Sequence, residues 1–437
     1  MQIRGHRHHW QLFPILCLGL IAVLPAGSGA VAPRRPIESA HAGHGDAAHR
    51  TDTTVAIAPA SAPELALRLQ ALLGQHAVLA ADFMRGRIRG DEDFAQAANA
   101  ALSKNTDAMT QLVGDLFGAP TATKFKPLWA EHIVELFTYA RGLADQDDAV
   151  RADARKELIE YEQDLAGFFT GASHGRLTTA AANSAMRVHV DHLLMQADAY
   201  AAHDYATADR IYRESYEHTY DLGGTIAGAL LAPKEAAALQ APIWRLRSQL
   251  GKFLAEHVVL VVDVTRAAAT NAPDFSAAGQ AVNGNTRDLA AAVDSLFGAP
   301  AAKGFQTLWA YHVDQLVAYS AATSARDASR QEQARTNLHD FESRMSAFLE
   351  TATGKRLPST ALTQALLAHD QMLLRHADAF AAKDYGTAHD IAYESYQHMT
   401  ELARQLADAF GATVAARLPV GGPQTGYGGL ADVVEHR

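Results

Sequence analysis

Apolar residues recur at helical spacing along nearly the whole chain from residue 64 onward. Leu69, Leu72, Leu73, His76, Leu79, Ala80 and Phe83 fall on one stripe of a helix expected over about 65–87. Trp129, His132, Leu136 and Tyr139 form such a stripe over about 121–143, and Ile211, Ser215, His218 and Leu222 over about 205–230. Further helices are expected near 148–169 and 179–201. Asp93, and Asp274 in the corresponding later stretch, stand where a helix N-cap is wanted. Gly-Ala-Pro after Phe117 closes one helix and opens the next, because the residue before proline avoids helical geometry. Period-two alternation is nowhere sustained, so the fold class is all-α.

The pattern is written twice. "LWAEHIVELFTYA" from Leu128 returns as "LWAYHVDQLVAYS" from Leu308, and "ADAYAAHDYATA" from Ala197 as "ADAFAAKDYGTA" from Ala377. The offset is 180 residues, and 181 before a one-residue gap near Asn99. Repeats of this kind mean a duplicated structural unit. The expected architecture is two tandem homologous six-helix up-and-down bundle domains, 64–232 and 243–418, joined by a linker at 233–242. Residues 1–30 read as a signal peptide, 31–63 as a disordered leader rich in His, Pro and Ala, and 419–437 as a Gly-rich tail.

Composition narrows the picture. Hydrophobic residues are 48% of 437, enough for a sizeable interior, and the formal charge of −10 with no long basic run gives no nucleic-acid footprint. Arg4 and Arg7 precede "LFPILCLGLIAVLPA", which is short for a membrane span, and Ser28 and Ala30 supply the small residues of a cleavage site. A lipid-anchoring signal would carry a small residue before Cys17, and Leu16 stands there, so cleavage and export to the periplasm or medium are expected. Cleavage removes the single cysteine, and with it disulfides, thiolate metal sites and cysteine nucleophiles. No later segment reads as a membrane span. His41, His44 and His49 sit in the leader, where a polar tail can pick up metal loosely.

Candidate chemistry lies in the remaining histidines. Alignment of the copies pairs His76 with His257, His132 with His312, His189 with His369 and His218 with His398. Each falls near the middle of its helix, and Asn105 and Asn285 hold the same place in the second helix. Midpoints share one level in an up-and-down bundle whichever way each helix runs. Four imidazoles and a carboxamide are thus expected to converge in each copy. Buried imidazoles without partners cost about 1–3 kcal/mol each, and a transition metal supplies a reason for them. Neutral nitrogen ligands suit copper or zinc. Glu214 and Glu394, one turn before the sixth-helix histidine, are candidates to accept an imidazole N–H. The competing reading is a hydrogen-bonded polar layer that only specifies packing; bis-histidine haem is a third. Trp129 and Trp309 read as core anchors, Tyr161 and Phe341 as packing, and Asp82 and Asp263 as solvated or as helix–helix contacts. His376 faces Gln196 in the alignment, so the two sites need not be equivalent.

"EHVVLVVDV", "NTRDL", "LWAYHVDQLVAY", "HDQMLLRHADAFAAKDY" and "SYQHMTELA" resemble a group of secreted bacterial helical proteins that carry the label copper amine oxidase. The likeness covers both copies and rests on dispersed positions. It implies copper as a ligand. The catalytic part of the label does not fit, because the topaquinone tripeptide Asn-Tyr-Asp/Glu is missing and Tyr205 and Tyr385 follow aspartate. Nucleophile-elbow, Walker and His-Glu-x-x-His patterns are missing too, so no catalytic residue is assigned. The expectation is an exported copper- or zinc-binding protein with one histidine site per repeat, serving storage, buffering or sensing. A helical interaction scaffold is the alternative, and a haem or oxidase role the third reading.

Overall fold

Thirteen helices and no strand make up residues 60–417, which this computed structural model describes. The expected signal peptide, nearly all of the leader with His41, His44 and His49, and the Gly-rich tail lie outside the described residues. The first copy holds α1 (Ala62–Arg89), α2 (Glu92–Phe117), α3 (Ala119–Ala144), α4 (Asp148–Ala172), α5 (Thr179–Ala201) and α6 (Tyr205–Leu230). A short α7 (Pro233–Ala238) occupies the connecting stretch. The second copy holds α8 (Pro242–Thr270), α9 (Phe275–Phe297), α10 (Ala299–Ser324), α11 (Ala328–Ala352), α12 (Ser359–Ala381) and α13 (Tyr385–Ala415). No helix among the described residues is long and apolar enough to cross a membrane.

Local chemistry sets the ends. At α1 the Glu64 carboxylate accepts from the Ser61 backbone N–H and hydroxyl, the Glu half of a capping box. Asp204 and Asp384 accept from the backbone N–H of Thr207 and Thr387 at α6 and α13. Gly118 and Gly298, at φ 84° and 87°, make the sharp corners before Pro120 and Pro300. Two expected caps differ. Asp91, not Asp93, caps α2, and Asp93 sits inside its first turn. Asp274 does stand before α9, yet its carboxylate is taken by Arg266 at 2.6 Å and by the Tyr200 hydroxyl at 2.9 Å, so it makes no side-chain cap.

Within each copy every helix packs against the next, and the first helix also meets the third and fifth. Connections of a few residues turn consecutive helices back on one another, so α1, α3 and α5 run the same way, as do α8, α10 and α12. Their midpoints therefore fall at one level in the core.

The copies are not spatially separate. One apolar core runs through both, α1 and α6 face α8, and α2 packs on α13. Gly74 permits this approach: a Cβ there would lie 2.9 Å from the Tyr216 ring and 3.2 Å from the Tyr396 hydroxyl. A polar cluster sits at the same junction. Arg85 is bound by Gln196 at 2.9 Å and Asp209 at 2.8 Å, and Arg266 by Asp263 at 2.8 Å. Asp263 also lies 3.7 Å from Arg85 of α1, so it serves helix–helix contact, the second of its two sequence readings. Beside this cluster is a cavity of about 40 Å³ lined by Asp82, Asp263, Arg266, His376 and His389.

Candidate metal centre

Three of the four paired histidines meet in each copy. His76 on α1, His132 on α3 and His189 on α5 are buried, and one ring nitrogen of each lies within 4.8 Å of the others. His76 Nε2 and His132 Nε2 are 2.9 Å apart, and the ring centres are separated by 5.0, 5.5 and 6.2 Å. His257, His312 and His369 repeat this on α8, α10 and α12, with 3.3 Å between the Nε2 atoms of His257 and His312. Tyr161 stacks on His132 at 4.6 Å and Phe341 on His312 at 4.5 Å, as packing residues would.

Hydrogen bonds fix where the ring protons are. His132 Nδ1 lies 2.5 Å from the Trp129 carbonyl, so it donates there and leaves Nε2 as a lone pair. His189 Nδ1 faces Thr219 Oγ1 at 3.1 Å, and the Thr219 hydroxyl already donates to the Ser215 carbonyl at 2.7 Å. His189 Nδ1 must then be the donor, and its Nε2 is a bare lone pair with no protein partner. In the second copy Met399 replaces Thr219, and neither nitrogen of His369 has a partner although the ring is fully buried. Trp309 Nε1 donates to His257 Nδ1 at 3.2 Å, which leaves the His257 proton on Nε2, toward His312. The first copy holds the same parts more loosely: Trp129 Nε1 and His76 Nδ1 are both buried without partners.

Burial keeps five of the six rings neutral. It holds His76, His189, His257 and His369 well below the ordinary histidine range, with neighbouring imidazoles adding to the effect. His132 is pushed down to about 4 by burial, against the pull of the Trp129 carbonyl. Neutral imidazole is the form that ligates metal.

The other expected members stand elsewhere. His218 and His398 turn their Nε2 to the carbonyls of Ala185 and Ala365, at 3.2 and 3.1 Å, outside the three-histidine groups. The sixth helix must also cover the other copy with Tyr216 and Tyr220, and that rotation brings Thr219 rather than His218 to face His189. Asn105 donates to the Leu72 carbonyl and to Gln75, and Asn285 to the Phe253 carbonyl and to Glu256, so both tie neighbouring helices together. Glu214 is exposed and paired with Arg210 at 2.8 Å, and Glu394 is exposed as well. The imidazole partners are instead the Trp129 carbonyl, Thr219 and Trp309, and Asp370 Oδ1 lies 3.2 Å from His312 Nδ1 without forming a hydrogen bond. Asp370 directly follows a paired histidine, but Val190 stands opposite it in the first copy, so pairing the repeats passes over it.

Comparison of the chain with known protein families, with curated proteins and with solved structures finds no match. The chemistry therefore rests on the site itself. Three nitrogens bound to one ion at roughly 2.0–2.1 Å stand about 3.3 Å apart in a tetrahedral set. The Nε2 separations of 2.9 and 3.3 Å between the first two histidines of each group are near that spacing, and the third ring offers a nitrogen within 4.8 Å of both. Either group of three residues can hold a metal ion.

Proposed function

We propose that the protein binds two transition-metal ions, copper or zinc, one on His76, His132 and His189 and one on His257, His312 and His369. The observation that carries this reading is His369. Its buried imidazole meets no protein partner at either nitrogen, and His189 Nε2 shares that condition. A layer evolved only for packing would satisfy these groups, since each one left unpaired costs about 1–3 kcal/mol. A metal satisfies all three rings of a site at once, and neutral imidazoles are ready to accept it. Rings sealed in a helical core suit retention of an ion better than turnover of a substrate. Storage, buffering or sensing in an exported protein is the role we assign, in keeping with the amino-terminal signal pattern and with copper as the ligand implied by the sequence resemblance.

One observation favours the rival reading of a structural layer. The Trp309–His257–His312 chain is already hydrogen-bonded, and a metal on His257 Nε2 would require its proton to move to Nδ1, which Trp309 now occupies. Haem fares worse. Ring centres 5.0 to 6.2 Å apart, with Trp129 and Tyr161 packed on them, leave no slot for a macrocycle.

The test is metal content and thermal stability of full-length protein carrying His41→Ala, His44→Ala and His49→Ala. Two equivalents of Zn²⁺ or Cu⁺ per chain, with a raised Tm, support the proposal. No bound metal and no shift with either ion would leave only the scaffold reading.

A further inference from the structure

The two histidine groups differ in one buried charge. Asp370 is 1% exposed, lies beside His369 on α12, and has Val190 as its counterpart. Its Oδ1 approaches His312 Nδ1 to 3.2 Å, within hydrogen-bond distance though not yet aligned for one. Neither carboxylate oxygen of Asp370 has a hydrogen-bond partner, and His312 Nδ1 has none either. A buried carboxylate without aligned donors is costly, and the His312 Nδ1–H stands close enough to relieve it. Glu342, also buried, is held by His339 at 3.0 Å and faces Asp370 carboxyl to carboxyl. Burial, with Asp370 beside it, raises the Glu342 carboxyl, so Glu342 is the second group able to share a proton with Asp370.

We infer that Asp370 is a positioning residue that makes the second histidine group the tighter metal site of the two. This rests on the metal-binding reading above. Acceptance of the Nδ1 proton by a carboxylate fixes the His312 tautomer, aims the Nε2 lone pair at the ion and strengthens it as a ligand. The first site has only the neutral Trp129 carbonyl in that role, with Val190 where the carboxylate would be. Beyond orientation, the negative charge lies within one imidazole ring of a bound cation. Such partners are worth 10- to 100-fold in metal affinity.

The experiment uses full-length protein with the three leader histidines replaced, and isolates each site in turn. His132→Ala leaves the second site and His312→Ala leaves the first. Each protein is titrated with Zn²⁺, and separately with Cu⁺, against a competing chelator. The second site is expected to bind 10- to 100-fold more tightly than the first. Asp370→Asn should remove most of that advantage, Asp370→Glu should restore part of it, and Val190→Asp should tighten the first site. A merely structural Asp370 would change Tm without changing the dissociation constant. Equal affinities at the two sites, or an Asp370→Asn protein that folds and binds as before, overturn this inference and leave the metal reading standing. Should Asp370→Asn fail to fold, the comparison of the unaltered sites and Val190→Asp still decide it. No binding of either ion at either site overturns the metal reading, and this inference with it.

Discussion

Tyr216 and Tyr396, equivalent residues of the two copies, meet across the junction with their hydroxyls 3.3 Å apart. Each donates to the first helix of the other copy: Tyr216 to the Lys252 carbonyl and Tyr396 to the Ala71 carbonyl, both at 2.9 Å. Ala71 and Lys252 are themselves equivalent, so the exchange is symmetric. The repeat, which the sequence presents as two bundles side by side, is joined by a shared interior.

Fragments covering 60–236 and 240–417 should accordingly be helical, melt below the intact chain, and form a one-to-one complex when mixed. Size-exclusion chromatography and circular dichroism melts check this. Fragments that match the intact chain in Tm and ignore each other would show that the shared core contributes little.

Gly74→Ala probes the same junction within the whole chain. The added methyl meets the rings of Tyr216 and Tyr220 at 2.9 and 3.0 Å. Crowding of this kind costs about 1–3 kcal/mol. Urea denaturation should show the midpoint falling with an unchanged slope. An unaltered midpoint would mean that the tyrosines move aside freely.

Asp82 gives a pH-dependent outcome. Burial first, then the Asp263 charge, pushes its carboxyl up to about 7, against Arg85, Arg89 and Arg266. The folded state therefore keeps a proton that the unfolded state has lost above about 4, and stability from this group declines as pH rises from there to about 7. At pH 8 the folded chain carries a desolvated charge beside Asp263 that the three arginines offset only in part. Asp82→Asn should stabilise the protein at pH 8, by on the order of 1–3 kcal/mol, and the gain should fade by pH 5. A gain that is the same at both pH values would place the effect in packing and not in ionisation.

The helices and the repeat were legible because apolar stripes and glycine corners are local signals. Boundaries expected at 179–201 and 205–230 are those observed. Which histidines meet was legible only in part. Helix midpoints give the level along the bundle axis but not the rotation of each helix, and rotation depends on what else the helix covers. On α6 the tyrosines bound for the other copy claim one face and turn His218 aside by a single residue in favour of Thr219. Asp370 was passed over for a different reason. It breaks the repeat, so equivalence between the two copies carries no signal for it.

His132 contributes to the acid limit of the metal-free protein. Its folded value near 4 lies below the ordinary value near 6.5, so the unfolded chain takes up the proton first. Stability should fall as pH drops from about 6.5 toward 4, and His76 and His189, depressed in the same direction, add to the loss. Urea midpoints at pH 7, 6 and 5 in the presence of a chelator should fall in that order. In His132→Leu the slope over this range should be shallower. An identical slope in the variant would remove His132 from the acid transition.

The two readings of the histidine groups part most sharply at His369. Its imidazole is buried with both nitrogens unpartnered, so in the absence of metal it contributes shape and a polar penalty of about 1–3 kcal/mol. Leucine in its place should leave the metal-free protein as stable as before, or more so, because it removes that penalty and keeps most of the volume. His132→Leu is the contrast. It loses the bonds to the Trp129 carbonyl and to His76, and should destabilise. With metal at 100 times its dissociation constant, each intact site should add about 2.7 kcal/mol, and His369→Leu should forgo one of those two increments. A chain that is less stable with His369 than with leucine, until metal is supplied, has kept the histidine for the metal. If His369→Leu instead costs the metal-free protein several kcal/mol and metal changes neither protein, the ring is there for packing and the second site does not exist.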